Sequence, residues 1–388
     1  MSEKFIPLSV PNLKGKELEY VTHAIETEWV STGGPYVNEF EKKTALYVNA
    51  EGTVSCQSGT AGLHIALLVC GVTKGDEVLV PTLTFIAAVN PVKYIGAEPI
   101  FMDCDDSLCM DVDKLLGFCQ NECRFEDGKL INKTTNKHIS AVIVVHIFGN
   151  MADMEGLMTI ARRYHLKVIE DATEALGTFY NNGAYAGKYA GTIGDIGVYS
   201  FNGNKIITTG GGGMIVSDDE ALLKEAKHLT TQAKSDELYC NHDEIGYNYR
   251  MTNLQAALGL AQLEQLEAFI EIKKENYNTY KDGIKEIDGL KILDFRKGIR
   301  PNYWFYSLDI DYPLKQDEII EKMAKKNIQT RPIWGLISDQ KPYQDNYAYK
   351  IEKAKNYQKK VVNLPCSSNL TREEVLFVIS CLKNYKKA

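Results

Sequence analysis

Lys205 stands in the run Gly194-Asp-Ile-Gly-Val-Tyr-Ser-Phe-Asn-Gly-Asn-Lys205-Ile-Ile-Thr-Thr-Gly-Gly-Gly-Gly213, after one short apolar run, Ile196 to Phe201, and before another, Gly213 to Val216. That pattern predicts a loop between two strands. A lysine held among small, uncharged residues is partly desolvated, which frees the amine lone pair to form a Schiff base with an aldehyde. Most lysines are instead solvated surface charges, so the neighbours must decide.

Ser58-Gly59-Thr60 follows a strand-like run and opens a helical one, Ala61 to Val69. The first-turn amides and positive end of a helix bind phosphate, and Gly59 permits close approach; the same triplet also suits a plain helix cap. Leu166-Lys-Val-Ile-Glu-Asp171 sets a carboxylate at the end of a buried strand. Either it caps a helix, or it pairs with a buried cation such as the protonated ring nitrogen of a pyridoxal cofactor. Phe85, just after another strand, either stacks on a planar ring or packs in the core. Ser200, at the end of the strand before Lys205, either adds a hydroxyl to the phosphate site or is an ordinary strand residue.

These side chains need a frame that brings strand ends together. Short apolar runs at Thr53 to Cys56, Glu77 to Val80, Pro99 to Asp103, Ser140 to His146, Lys167 to Asp171, Val198 to Phe201 and Gly213 to Ser217 alternate with helix-length amphipathic segments. Several are apolar on both faces, as in Ala141-Val-Ile-Val-Val145, which predicts an α/β fold with a mainly parallel sheet covered by helices. Such sheets bind ligands at the carboxyl ends of their strands. Residues 252 to 285 predict one long amphipathic helix with Leu254, Leu258, Ala261, Leu263, Leu266 and Ile270 on its apolar stripe. Beyond it a smaller α+β unit is expected, giving a large domain over 1–265 and a small one over 266–388. The polar stretch from Arg124 to His138, with Asp127-Gly128 at its turn, reads as an inserted hairpin or loop.

The 388 residues carry a formal charge of -7, which argues against nucleic acid or an anionic membrane as the main partner. No apolar run approaches the ~18 residues of a membrane helix, and Met1 to Pro7 lack a leader pattern, so a soluble, unprocessed, cytoplasmic protein is expected. Nine cysteines without Cys-x-x-Cys spacing predict reduced thiols, and seven histidines without ligand spacing predict no metal. Gly210 to Gly213 lacks the context of either common nucleotide-binding glycine loop, which disfavours a non-catalytic nucleotide binder.

Taken in order, these motifs resemble the DegT/StrS sugar aminotransferases. The resemblance spans nearly the whole chain: Trp29-Val-Ser-Thr-Gly-Gly-Pro35, Ser58-Gly-Thr-Ala-Gly-Leu-His64, Val80-Pro-Thr-Leu-Thr-Phe85, Val145-His-Ile-Phe-Gly149, Glu170-Asp-Ala172, the Lys205 run, Gly246-Tyr-Asn-Tyr-Arg-Met-Thr-Asn253, Thr330-Arg-Pro-Ile333 and Leu364-Pro365. It implies the aspartate aminotransferase fold and pyridoxal 5′-phosphate. Lys205 would hold the cofactor and shuttle protons, Asp171 would pair with the ring nitrogen, Phe85 would stack on the ring, and Ser58, Gly59, Thr60 and Ser200 would hold the phosphate. Asn248 would reach the cofactor of a neighbouring subunit, implying a homodimer with shared sites. Thr32, Arg331 and Trp334 would approach a nucleotide-linked ketosugar, with L-glutamate as amino donor. Lys205 also sets the chain apart from related sugar dehydratases, which carry histidine there. Glu174, which would stand beside the cofactor where many relatives carry glutamine or histidine, together with the Lys205 flanks, resembles enzymes of bacillosamine and legionaminic acid synthesis. This implies a UDP-linked, N-acetylated 4-keto-6-deoxy sugar, with a GDP- or dTDP-linked ketosugar as the alternative.

Overall fold

The computed structural model describes residues 4–236, 238–311 and 314–383. Met1 to Glu3, part of the stretch read for a leader, lie outside them. Seven of the ten strands of the central sheet form its body: β1 (Gly52–Cys56), β2 (Glu77–Pro81), β3 (Glu98–Met102), β4 (His138–Val145), β5 (Lys167–Asp171), β6 (Ile196–Ser200) and β7 (Gly213–Ser217), with Ala348–Tyr349 added in parallel beside β3. Their spatial order is β1-β7-β6-β5-β4-β2-β3. From β6 to β3 every pairing is parallel, while β7 runs antiparallel to both β6 and β1. Ala141 to Val144 are fully buried, as a strand covered on both faces requires. The register Val145↔Asp171 and Asp171↔Val198 brings the carboxyl ends of β4, β5 and β6 level.

The expected hairpin is present. Cys123–Glu126 and Lys129–Asn132 join through Asp127 (φ 50) and Gly128 (φ 74), two left-handed residues as a type I′ turn demands, and its second strand pairs with the start of β4.

The long helix predicted over 252–285 is two helices, Asn253–Leu263 and Leu266–Ile284. The break falls just after Gln262, whose buried amide donates to Asn12 O (2.8 Å) and Glu17 Oε1 (2.6 Å), and there the chain tightens as Gln265 N–H turns back to Gln262 O. The buried face of the first helix is also not the leucine stripe. Of the expected stripe Leu254, Leu258 and Leu263 are half-buried, whereas Ala261 faces inward as predicted, together with Ala256, Ala257, Gly259 and Leu260. A Cβ at Gly259 would stand 2.7 Å from the Phe40 ring, so small residues let this helix lie close against Pro35–Val48. The second helix packs on Arg372–Lys383 instead.

A smaller antiparallel sheet follows, formed by Leu290–Ile292, Tyr306–Ile310, Val361–Leu364 and Arg331–Pro332. Among the ties that hold it to the rest, two stand at opposite sides. At the front, Ile6 bridges Ile328 and Leu8 O accepts Cys366 N–H, which carries Leu8 and Ser9 to the sheet ends. At the back, Asp103, fully buried after β3, accepts Lys114 Nζ (2.6 Å) and the N–H groups of Glu352, Lys353 and Ala354. Burial opposes ionisation of this carboxyl, yet Lys114 and the three amides outweigh it and hold it below the usual range. Among the described residues no helix is long and apolar enough to cross a membrane.

Candidate active site

A cavity of about 700 Å³ opens where the strand ends meet the smaller sheet. Ser58, Gly59, Thr60, Phe85, Asp171, Glu174, Ser200, Lys205, Arg331 and Trp334, brought together from well-separated stretches of the chain, line it.

Lys205 reaches it from the loop after β6. Its N–H donates to Asn202 O, and Asn204 O accepts both Trp304 Nε1–H (2.7 Å) and Ser9 Oγ–H (3.2 Å), so the loop is clasped by the N-terminal segment and by Trp304. Lys205 Nζ lies 3.7 Å from Glu174 Oε1 and 4.3 Å from the centre of the Trp304 ring. The amine is sheltered, as expected, but its surroundings are not uncharged: a carboxyl and an aromatic face stand on it.

Asp171 ends β5 and is 3% exposed. No helix begins after it, so the capping alternative fails; Oδ1 accepts Thr173 N–H at 3.1 Å. Burial raises the carboxyl's pKa against Thr173, Lys205 and His146, which oppose the rise. A buried acid in that condition is completed by a cation. The strand ends around it are locked by Glu170, whose fully buried carboxylate accepts His146 Nε2–H (2.8 Å) and the N–H groups of Gly191 and Ile193 (2.8 and 2.6 Å), with Gly194 N–H close beside them. Since His146 Nδ1 accepts Ala152 N–H, its proton belongs on Nε2, facing Glu170.

Ser58 is both things it could have been. Its Oγ accepts Ala61 N–H (3.0 Å) and caps the helix Gly59–Val69, while the residue also lines the cavity with Gly59 and Thr60, whose amides open the first turn. The cradle is narrow. A Cβ on Gly59 would stand 2.8 Å from Thr173 Cγ2 and 3.0 Å from Ser200 Cβ, and one on Gly213 would stand 2.6 Å from the Ser58 carbonyl. Phe85 is 53% exposed with its ring 6.1 Å from that of Trp334, which rules out the core-packing alternative.

Two expected residues stay outside. Asn248 is exposed and Thr32 half-buried, and neither lines this chain's cavity. Conversely, Trp304, Thr173, Ser9 and Gln329 line the cavity without having been singled out. Thr173 was within reach of reading, two residues beyond Asp171; the other three carry no local signal. His228, Asp243 and Glu244 bring three possible ligand atoms within 4.8 Å of one another on the surface, a grouping that spacing did not foretell, but no ion is implied by exposed acids alone.

Glu174 is buried, and its Oε2 accepts Phe148 N–H at 2.8 Å. Burial pushes its carboxyl up to about 7, although Lys205 and the Phe148 amide pull down and Asp171 adds to the rise.

These residues fit pyridoxal 5′-phosphate: a helix N-terminus in a cradle that a Cβ would fill, a buried acid with no direct ion pair among the described residues, an amine, and an exposed ring beside them. The comparisons agree. A GDP-perosamine synthase from Escherichia coli O157:H7 is 38% identical over 383 residues, covering 98% of this chain and 99% of the relative. Another from Vibrio cholerae is 33% identical over 387 residues, covering 98% and 99%. The crystal structure of a DegT DnrJ EryC1 StrS aminotransferase from Brucella abortus superposes with a TM-score of 0.87 at 25% identity, covering 95% of each chain. The profile of one family matches residues 11–383, the span that contains every cavity residue named above except Leu8 and Ser9 at its front edge. The chain therefore belongs to the DegT/DnrJ/EryC1/StrS aminotransferase family, whose chemistry depends on pyridoxal phosphate.

Proposed function

We propose that the protein transfers an amino group from L-glutamate to C4 of a nucleotide-linked 4-keto-6-deoxy sugar. The observation that carries the reading is the convergence of Lys205, Asp171 and the Ser58–Thr60 helix start on one cavity. Lys205 would hold the cofactor's aldehyde carbon, Asp171 its ring nitrogen, and Ser58, Gly59, Thr60 and Ser200 its phosphate, with Phe85 against the ring. When bound, pyridoxal phosphate supplies an electron sink for charge that develops at a carbon bearing the amine. Lys205 then removes the proton from the α carbon of glutamate and, in the second half-reaction, delivers one to C4 of the sugar. Asp171, ionised, keeps its partner nitrogen protonated, and the sheltered cavity keeps bulk water from the exchange.

For the sugar, the GDP-linked reading is the better supported, because the relatives at 38% and 33% identity are both named GDP-perosamine synthase. The UDP-linked, N-acetylated sugar of the bacillosamine and legionaminic type rests on Glu174 and the flanks of Lys205 alone. Arg331 and Trp334, at the rim, are assigned to the nucleotide sugar. Asn248 is assigned to the cofactor of a neighbouring copy in a homodimer, and Thr32 to the nucleotide sugar. The seven buried cysteines with free thiols fit a cytoplasmic protein.

Borohydride reduction of the loaded protein is expected to fix the cofactor to the Lys205 peptide, read by mass spectrometry; no adduct there would end the transaminase reading. Formation of 2-oxoglutarate from glutamate with GDP-, UDP- and dTDP-linked 4-ketosugars then identifies the acceptor, and a preference for the UDP sugar would overturn the GDP assignment.

A further inference from the structure

We propose that Glu174 is the proton partner of Lys205: its Oε1 takes a proton from the lysine ammonium when the amine must be neutral and returns it when the ammonium re-forms. This rests on the transaminase reading above. The two carboxyl oxygens have different duties. Oε2 is committed to Phe148 N–H at 2.8 Å, which leaves Oε1 facing Lys205 Nζ at 3.7 Å. Phe148 itself cannot easily move away. It sits at φ 57, a conformation costly for an aromatic residue, with Phe305 N–H on its carbonyl and its ring 4.8 Å from that of Trp334.

Both members of the pair are sheltered, with side chains 3% exposed for Glu174 and 13% for Lys205. In the transfer one N–H bond of the ammonium breaks and one O–H bond of the carboxyl forms. The pair is neutral overall before and after, so no charge has to enter or leave the buried site. A separation of 3.7 Å is long for direct transfer, but contacts of this kind tighten when the site is loaded. The charged groups acting on Glu174 are Lys205 and Asp171; burial raises the carboxyl most, Lys205 lowers it, and Asp171 raises it further. An acid so placed exchanges a proton readily near neutral pH, which an ordinary surface glutamate does not.

The decisive variant is Glu174→Gln, which keeps the shape and an oxygen for Phe148 N–H but cannot accept the proton. In full-length protein stripped of cofactor, competitive acetylation of Lys205 by acetic anhydride across pH reads the amine directly. Loss of the proton acceptor is expected to shift the pH dependence of acetylation at Lys205. Glu174→Asp, which draws the carboxyl back, is expected to give an intermediate shift. A Lys205 profile unchanged to within about 0.3 unit in both variants, with near-ultraviolet circular dichroism unchanged, overturns the proposal. The same protein treated with borohydride after loading separates the two claims. An adduct on Lys205 with no shift sinks the proton partnership alone, whereas no adduct sinks the transaminase reading.

Discussion

Gly213→Ala tests the phosphate cradle through a single methyl group. Gly213 opens β7 and pairs with both Cys56 and Ser200, so it lies between the strand leading to Ser58 and the strand leading to Lys205. A Cβ there would stand 2.6 Å from Ser58 C and O and 2.8 Å from Gly59 N. Ordinary contact begins at 3.4 Å, so the gap must open by 0.8 Å (3.4 minus 2.6), and because the obstruction is backbone no rotamer can yield. Overpacking of this kind costs about 1–3 kcal/mol of stability. More tellingly, the displaced atoms are the first turn of the helix that would hold the phosphate. A loss of about 1.4 kcal/mol in binding is tenfold, so the dissociation constant of pyridoxal phosphate from stripped protein is expected to rise about tenfold or more. Absorbance titration measures it, with urea unfolding alongside. Gly203→Ala is the control: it is in the Lys205 loop, its Cβ would meet nothing within 4 Å, and it should change stability by less than about 0.5 kcal/mol. A Gly213→Ala protein that loses stability but binds the cofactor as tightly as the parent would refute the placement of the phosphate.

Asp171→Asn removes the charge while keeping the Thr173 contact. Single-turnover conversion of glutamate is expected to slow by roughly two to three orders of magnitude, as when a group stabilising developing charge is lost, and an unchanged rate would strip Asp171 of its role. Glu174, raised from 4.5 to about 7, binds its proton more tightly in the folded state. Cofactor-free protein should therefore be most stable with respect to this group below about pH 4.5 and lose at most about 3 kcal/mol as pH rises to 7, a slope that chemical melts should find missing in Glu174→Gln. Asp103 has the opposite sign. Its depressed pKa contributes stability above the ordinary value of 3.8 that disappears as pH falls through the folded value, so Asp103→Asn should be less stable at neutral pH and show a flatter acid limb; equal acid limbs would contradict it.

The sheet was legible because its strands are short, apolar and bounded by turn residues, and period-two and continuous apolar runs are local signals. The register of Asp171 against Val145 and Val198 was not, since it is a pairing between distant segments. The helix over 252–285 shows where local periodicity misleads. Its leucine spacing persists through Glu264 and Gln265, so the pattern reads as continuous; the chain nevertheless turns there as Gln265 N–H bonds back to Gln262 O, and on the inward face Gly259 stands against the Phe40 ring. Hydrophobic periodicity locates an apolar face without saying how close its partner lies.

The candidate site divides along the same line. Asp171 ends a strand and Lys205, Ser58, Gly59, Thr60 and Phe85 each follow one, so the rule that ligands bind at carboxyl ends of strands was enough to collect them. Trp304, Ser9 and Gln329 approach from the smaller sheet and the N-terminal segment, and only the tertiary fold carries them to Lys205. The uncharged setting first assigned to Lys205 was wrong for a related reason: the residues adjacent in sequence are small and neutral, but Glu174, 31 positions earlier, is the one facing the amine. Lys205 has a buried acid and an indole ring as its neighbours in space, neither of them adjacent in sequence. The chemistry at Lys205 is therefore fixed less by the loop that bears it than by the position three residues beyond Asp171, and a substitution there should alter the amine while leaving the strand, the cradle and the fold in place.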